Sequence, residues 1–218
     1  MSRPAICMCL FLLLAGSLPA RADAPRLVCL VAALTGQASL SPAEGGEKAL
    51  ELFTRLREGE RVDLGQGAEV QLAFLQQGVS ETWTGPATVV ITAAGGQSTD
   101  SAGPPTIKKL PLGRQPAGGA ASSILSEAGE QATAQVKTRE AVPIEDKTLS
   151  DAERAELTAA EAQVAAMRQT AAPGDVSAEI VLLGTLDRLG QKRRLAEEVR
   201  RLREAYPDNA ALSAWDVQ

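Results

Sequence analysis

Asp63, Glu81 and Trp83 are the residues of the first half of the chain whose types could do chemistry. Two carboxylates can share acid–base work or grip a polar ligand, and an exposed indole can lie against a sugar ring. No spacing in the sequence brings Asp63 and Glu81 together. Trp83 shares a period-two stretch with Val79 and Glu81, so it is either a core filler or an exposed anchor for a partner at a sheet edge. In the second half, Lys192-Arg193-Arg194 and Arg200-Arg201 with Arg203 make a locally basic helix. Arg193, Arg194 and Arg201 could form a docking stripe for an acidic partner. The alternative is a solvated face, with Glu197 to Arg201 and Arg200 to Glu204 spaced for i, i+4 pairs worth about 0.2–0.5 kcal/mol each.

The chain has no histidine, which excludes histidine-based triads and His-containing zinc sites. Glu153, Glu156, Glu161, Glu197 and Glu198 read as solvated helix faces. No P-loop, dinucleotide fingerprint or calcium loop occurs. The expectation is a non-enzyme, with no catalytic residue, metal or cofactor.

Residues 1–22 carry a charged start, the apolar run Ile6–Ala15 and an Ala20-Arg21-Ala22 site, the layout of a cleavable signal peptide. The apolar run is shorter than the roughly 20 residues a bilayer span needs. Cleavage after Ala22 would leave a periplasmic or secreted chain. It removes two arginines and no acid, moving the formal charge from −5 to −7. That balance, with 3% aromatic residues, argues against nucleic acid as a partner. Of 3 cysteines, Cys29 alone would survive cleavage, so an intrachain disulfide is not expected. Cys29 is either a small buried hydrophobe or a reactive thiol.

The chain from Leu56 to Ile91 dictates the fold. Ala68, Val70, Leu72 and Phe74 alternate with polar or small residues, the pattern of a strand with one face on a core. Glycine turns precede it at Gly59, Gly65 and Gly67. Gln76-Gln77-Gly78 turns the chain back into Val79–Trp83, and Gly85-Pro86 separates that strand from a last one carrying Ala87, Val89 and Ile91. Glu47–Arg57 fits either an amphipathic helix or a bulged strand. This order of Leu56-x-x-Gly59, alternating strand, glycine hairpin, short strand, Gly85-Pro86 and Val89-Val90-Ile91 resembles the FecR-like domain. Leu34-Thr35-Gly36-Gln37-Ala38-Ser39-Leu40 is similar to that family's opening strand. The resemblance spans about residues 27–91. Gln77-Gly78 stands where the family usually has Asp-Gly.

The resemblance implies a small all-β meander or sandwich over residues 23–92 and a link to envelope signalling. No segment long enough for a cytoplasmic relay domain precedes the apolar run and no membrane span follows, so direct anti-sigma function is not expected.

Residues 93–149 are rich in glycine and proline and read as a linker with added strands at Thr106–Leu110 and Ala132–Lys137. Lys108-Lys109 reads as solvated loop charge. Residues 150–218 form a helical tail. Ser150-Asp151-Ala152-Glu153 is a capping box opening a helix to about Gln169. Val176–Leu189, closed by Gly190, and Gln191–Ala205, stopped by Pro207, make a helical hairpin or three-helix tail. Leu183-Gly184, Ala196 and Ala205-Tyr206-Pro207-Asp208-Asn209 resemble a single tetratricopeptide repeat over residues 176–207. The class is mixed, β then α. The expected role is a binding or scaffolding module for another envelope protein. The alternative is an envelope glycan-binding module, gripping sugar through Asp63, Glu81 and Trp83, which requires Trp83 to face solvent.

Overall fold

Leu27–Thr35, the first strand β1, is apolar almost without interruption, and its first six residues are buried. An unbroken apolar run of strand length is what a strand covered on both faces requires. A computed structural model describes residues 26–42, 45–100, 103–112, 146–213 and 215. The leader at residues 1–22 and the expected strand at Ala132–Lys137 lie outside the described residues.

Among the described residues nine further strands follow: β2 Ala38–Ser41, β3 Lys48–Ala49, β4 Arg55–Arg57, β5 Arg61–Leu64, β6 Glu69–Phe74, β7 Val79–Thr84, β8 Ala87–Thr92, β9 Gly95–Ser98 and β10 Thr106–Lys109. They form two antiparallel five-stranded sheets, ordered β10-β7-β6-β1-β4 and β3-β2-β5-β8-β9. The expected meander or sandwich is thus a sandwich. β5 pairs with β2 and β8 rather than with β6, so the chain changes sheet at the turns before and after the β6–β7 hairpin. Val70, Leu72, Phe74, Ala87, Val89 and Ile91, the inward positions of the alternating pattern, are buried between the sheets with Val28, Val31, Leu56 and Val62.

The β6–β7 connection is a four-residue loop rather than a tight two-residue turn, since Phe74 pairs with Val79. Gly78 closes it at φ +64° and donates to the Phe74 carbonyl at 2.9 Å. The ambiguous stretch before Gly59 resolves as extended chain around a tight turn. At its centre Phe53 takes φ +62°, a conformation that strains a bulky side chain. Its N–H donates to the Val31 carbonyl at 2.9 Å, and its ring is fully buried.

The helices are α1 Asp151–Thr170, α2 Ser177–Arg188, α3 Lys192–Ala205 and a single turn, α4 Ala210–Ser213. The capping box at Ser150 and Glu153 forms in both directions. α2 ends in a Schellman motif: Gln191 N–H reaches the Leu186 carbonyl at 2.9 Å, and Gly190 N–H, at φ +67°, reaches Asp187 at 2.9 Å. α3 lacks a cap of its own. Asp146 supplies one from across the layer, accepting from Arg193 N–H at 2.8 Å.

The helical layer lies on the outer face of the first sheet. Leu30, Ala32, Ala73 and Leu75 share one core with Leu157, Val164, Ile180, Leu183, Leu186, Leu195 and Leu202. A bulge in β1 between Val31 and Ala33 shifts the β1–β6 register. The Ala32 carbonyl there accepts from Val176 N–H at 2.8 Å, and Gln71 Nε2 donates to Ser177 Oγ at 2.9 Å. The start of α2 is thereby tied to the sheet by backbone and side chain. Gly184, the glycine of the repeat-like Leu-Gly pair, faces Leu75 and Leu112, so it serves docking on the sheet.

Glu153 tests the capping account. A hydrogen bond from Lys147, then bonds from the Ser150 backbone and hydroxyl, pull its pKa from 4.5 down to about 2. A carboxyl depressed by folding stabilises above its unfolded pKa and loses that contribution as pH falls through the folded one. The Tm difference between the wild type and Glu153→Ala is expected to be constant above about pH 4.5 and to shrink as pH falls towards 2. A difference independent of pH would contradict the cap.

Candidate functional site

The sequence candidates fall in three places. Glu81, on β7, points between the sheets and is 6% exposed. Its Oε2 accepts from Trp83 Nε1 at 3.1 Å and from the Gly96 backbone N–H of β9 at 2.9 Å. A buried carboxylate must be matched by donors; the first bond is local to β7, and the second joins β7 to β9 across the mouth of the sandwich. A Cβ on Gly95 would stand 2.4 Å from Glu81 Oε1, so the glycine is what lets the carboxylate in. Trp83 is 3% exposed and packs in the inter-sheet core.

Of the two readings of Trp83 the core filler holds, and Glu81 beside it is buried rather than placed to meet a ligand. The indole offers no face to solvent, and the carboxylate holds the two sheets together. Cys29, buried in the same core, has its thiol pushed well up by burial and then by the charges of Glu81 and Glu60. Its two readings therefore resolve to the buried hydrophobe.

Asp63 sits elsewhere. It alternates with buried Val62 and Leu64 on β5, so its side chain is on the outer face of the second sheet. Its Oδ1 accepts from Thr88 Oγ1 at 2.7 Å and its Oδ2 from Ser41 Oγ at 3.4 Å, stitching β5 to β8 and β2. It borders an open groove of about 660 Å³ with Gln37, Ser39, Glu47 and Leu50. Asp63 and Glu81 lie on opposite sides of a sheet and cannot act as a pair.

The three arginines belong to the helical layer. Arg194 pairs with Glu161 of α1, and Arg201 with Glu198 at 2.6 Å. Arg193 Nε lies 3.4 Å from Asp146. The expected i, i+4 partner of Arg201, Glu197, is replaced by Glu198 at i−3. Arg194–Glu161, with Arg188–Glu156 at 2.6 Å and Arg168–Glu179 at 3.0 Å, joins one helix to another, while the Arg201 pair lies within α3. Each exposed pair is worth about 0–1 kcal/mol, small beside the apolar core the helices share. The pairs fit the alternative of a solvated, ion-paired face, on which the Arg193, Arg194 and Arg201 side chains all remain exposed.

One feature escaped the sequence reading. At the C-terminal end Asn209 donates to the Leu52 carbonyl at 3.0 Å, and Glu51 accepts from Ala210 N–H at 2.9 Å. Tyr206 and Trp215 meet Phe53 edge-on, with centroids 5.5 and 6.2 Å away, and the Arg55 guanidinium stands 5.5 Å over Trp215. These contacts clamp the tail to the β domain.

The strand expected at Thr106–Leu110 is present as β10, Thr106–Lys109. Lys108-Lys109, expected in a loop, lie on the outermost strand of the first sheet. Among the described residues Ile107 is the large hydrophobic left exposed, at 61%. It stands directly across the ladder from Glu81. The strand facing that mouth opens with Gly95-Gly96, which have no side chains to cover it. No group of His, Cys, Asp and Glu suited to a metal ion occurs among the described residues, and no helix there is long and apolar enough to cross a membrane.

Glu81→Ala orphans the buried Trp83 indole N–H, at a cost of about 1–3 kcal/mol, and frees the half-buried Gly96 N–H. It is expected to lower the denaturant midpoint and to red-shift Trp83 emission. Unchanged stability and emission would mean that Glu81 does not staple the sheets.

No protein-family model, curated protein or solved structure matches the chain.

Proposed function

We propose that the chain is an exported, periplasmic FecR-like protein that acts without catalysis, as a binding or scaffolding module for another envelope protein in envelope signalling. The observation that supports this reading is the β10 edge. The carboxylates and the indole that could have formed a small-molecule site are engaged in holding strands together. The helices spend their apolar faces on the sheet. Among the described residues, the β10 edge leaves an isoleucine exposed, the kind of surface proteins use to recognise extended partners. The glycan alternative loses its aromatic platform with Trp83 buried.

The test uses the full chain, expressed with its own leader and a photo-crosslinking residue at position 107 or, as control, at exposed Glu69 on β6, a central strand of the same sheet. The expected outcome is a discrete adduct with an envelope protein from position 107 only, on a mature chain starting at Asp23. Equal or absent adducts from both positions, or retention of the leader in the cytoplasm, would overturn the proposal.

A further inference from the structure

β10 pairs with β7 in a regular antiparallel ladder, Thr106 with Thr82 through Lys109 with Val79. The next bond, from Leu110 N–H to the Gly78 carbonyl at 2.8 Å, sets the phase. Antiparallel ladders alternate between residues that bond to their neighbour and residues that point away. Thr106 and Lys108 therefore bond towards β7, while Ile107 and Lys109 turn their N–H and C=O groups to the open edge. All four β10 side chains are exposed. The edge thus combines free main-chain groups, one apolar side chain and two adjacent cations.

We propose that β10 accepts an extended acidic segment of a partner protein as an added strand. The assignment rests on the binding-module reading above and names its partner's chemistry. Main-chain bonds to Ile107 and Lys109 would supply the pairing, and the side chains the choice of partner. On the Ile107 face an incoming strand meets an apolar group and the Lys109 ammonium. On the other face it meets Thr106 and Lys108. Alternating apolar and acidic residues match both. Charge complementarity also decides against a second copy of this chain. Two antiparallel β10 strands would crowd four ammonium groups into one short ladder, and lysines on an edge are a known guard against such self-pairing.

Ile107→Pro tests the main-chain part cleanly. It removes an outward N–H, leaves the β7 ladder bonds in place and suits an edge strand. The probe is a short, capped, fluorescent peptide of alternating glutamate and valine, with a lysine–valine peptide as control, titrated against the full mature chain at low salt. Binding of the acidic peptide at least about tenfold tighter than the basic one is expected, weakening as salt rises. Ile107→Pro should abolish it with the melting curve unchanged. Lys108→Glu with Lys109→Glu, which alters no backbone group, should reverse the preference.

Equal binding of both peptides, or binding indifferent to Ile107→Pro, would overturn the assignment. So would a dimer in sedimentation that Ile107→Pro dissolves, because the occupant would then be a second copy. No peptide binding with the position-107 adduct intact sinks the acidic strand and leaves the binding module standing. Loss of both sinks both.

Discussion

Everything else in the structure depends on β1 being covered on both faces. Val28 and Val31 enter the core between the sheets, while Leu30 and Ala32 enter the core beneath the helices. A single strand thus contributes to two hydrophobic clusters. Its bulge gives the second cluster a polar anchor, because the displaced Ala32 carbonyl takes the Val176 N–H. A buried carbonyl without such a partner would be costly. The helical layer is therefore the missing half of the first sheet's environment. Without it, Leu30, Ala73 and Leu75 would face water.

That constraint redistributes where function can lie. A repeat-like hairpin would ordinarily offer its apolar faces to neighbours, and here they are spent on the sheet. Phe53 shows how firmly. Its strained backbone is held by Val31 on one side and by Tyr206 and Trp215 on the other. Inside the sandwich, Glu81 spans the mouth as a bridge between sheets. Among the described residues, the β10 edge of the first sheet carries an exposed large hydrophobic side chain, Ile107.

The strands with clean alternation were legible because one side of each faces the inter-sheet core. Val70, Leu72 and Phe74 read correctly for that reason, as did the Ser150 capping box and the Gly190 stop, which are local chemistry. Pairing partners were not legible. A glycine turn looks alike whether the chain returns in the same sheet or crosses to the other, so the β5–β8 and β6–β7 pairings could not be separated from a meander. β1 did carry a signal, since Leu27–Ala33 is unbroken rather than alternating. That run marks a doubly covered strand and hence a helical layer. Glu81 and Trp83 looked like site residues because a carboxylate two positions from an indole fits a ligand and a buried hydrogen bond equally well. Only the approach of Gly96 decides between them. Asn209 and Trp215 had no local signature, as their partners Leu52 and Phe53 lie more than half the chain away.

The claim that the sandwich and the helices form one cooperative unit is tested most directly by equilibrium urea unfolding with two probes. Trp83 emission, isolated in Trp215→Phe, reports the inter-sheet core, and far-ultraviolet circular dichroism reports the helices. Two-state unfolding through a shared strand predicts that the two transitions coincide. Loss of the helical signal at lower urea, with Trp83 emission still native, would show that the sandwich stands without its helical cover and would contradict the account.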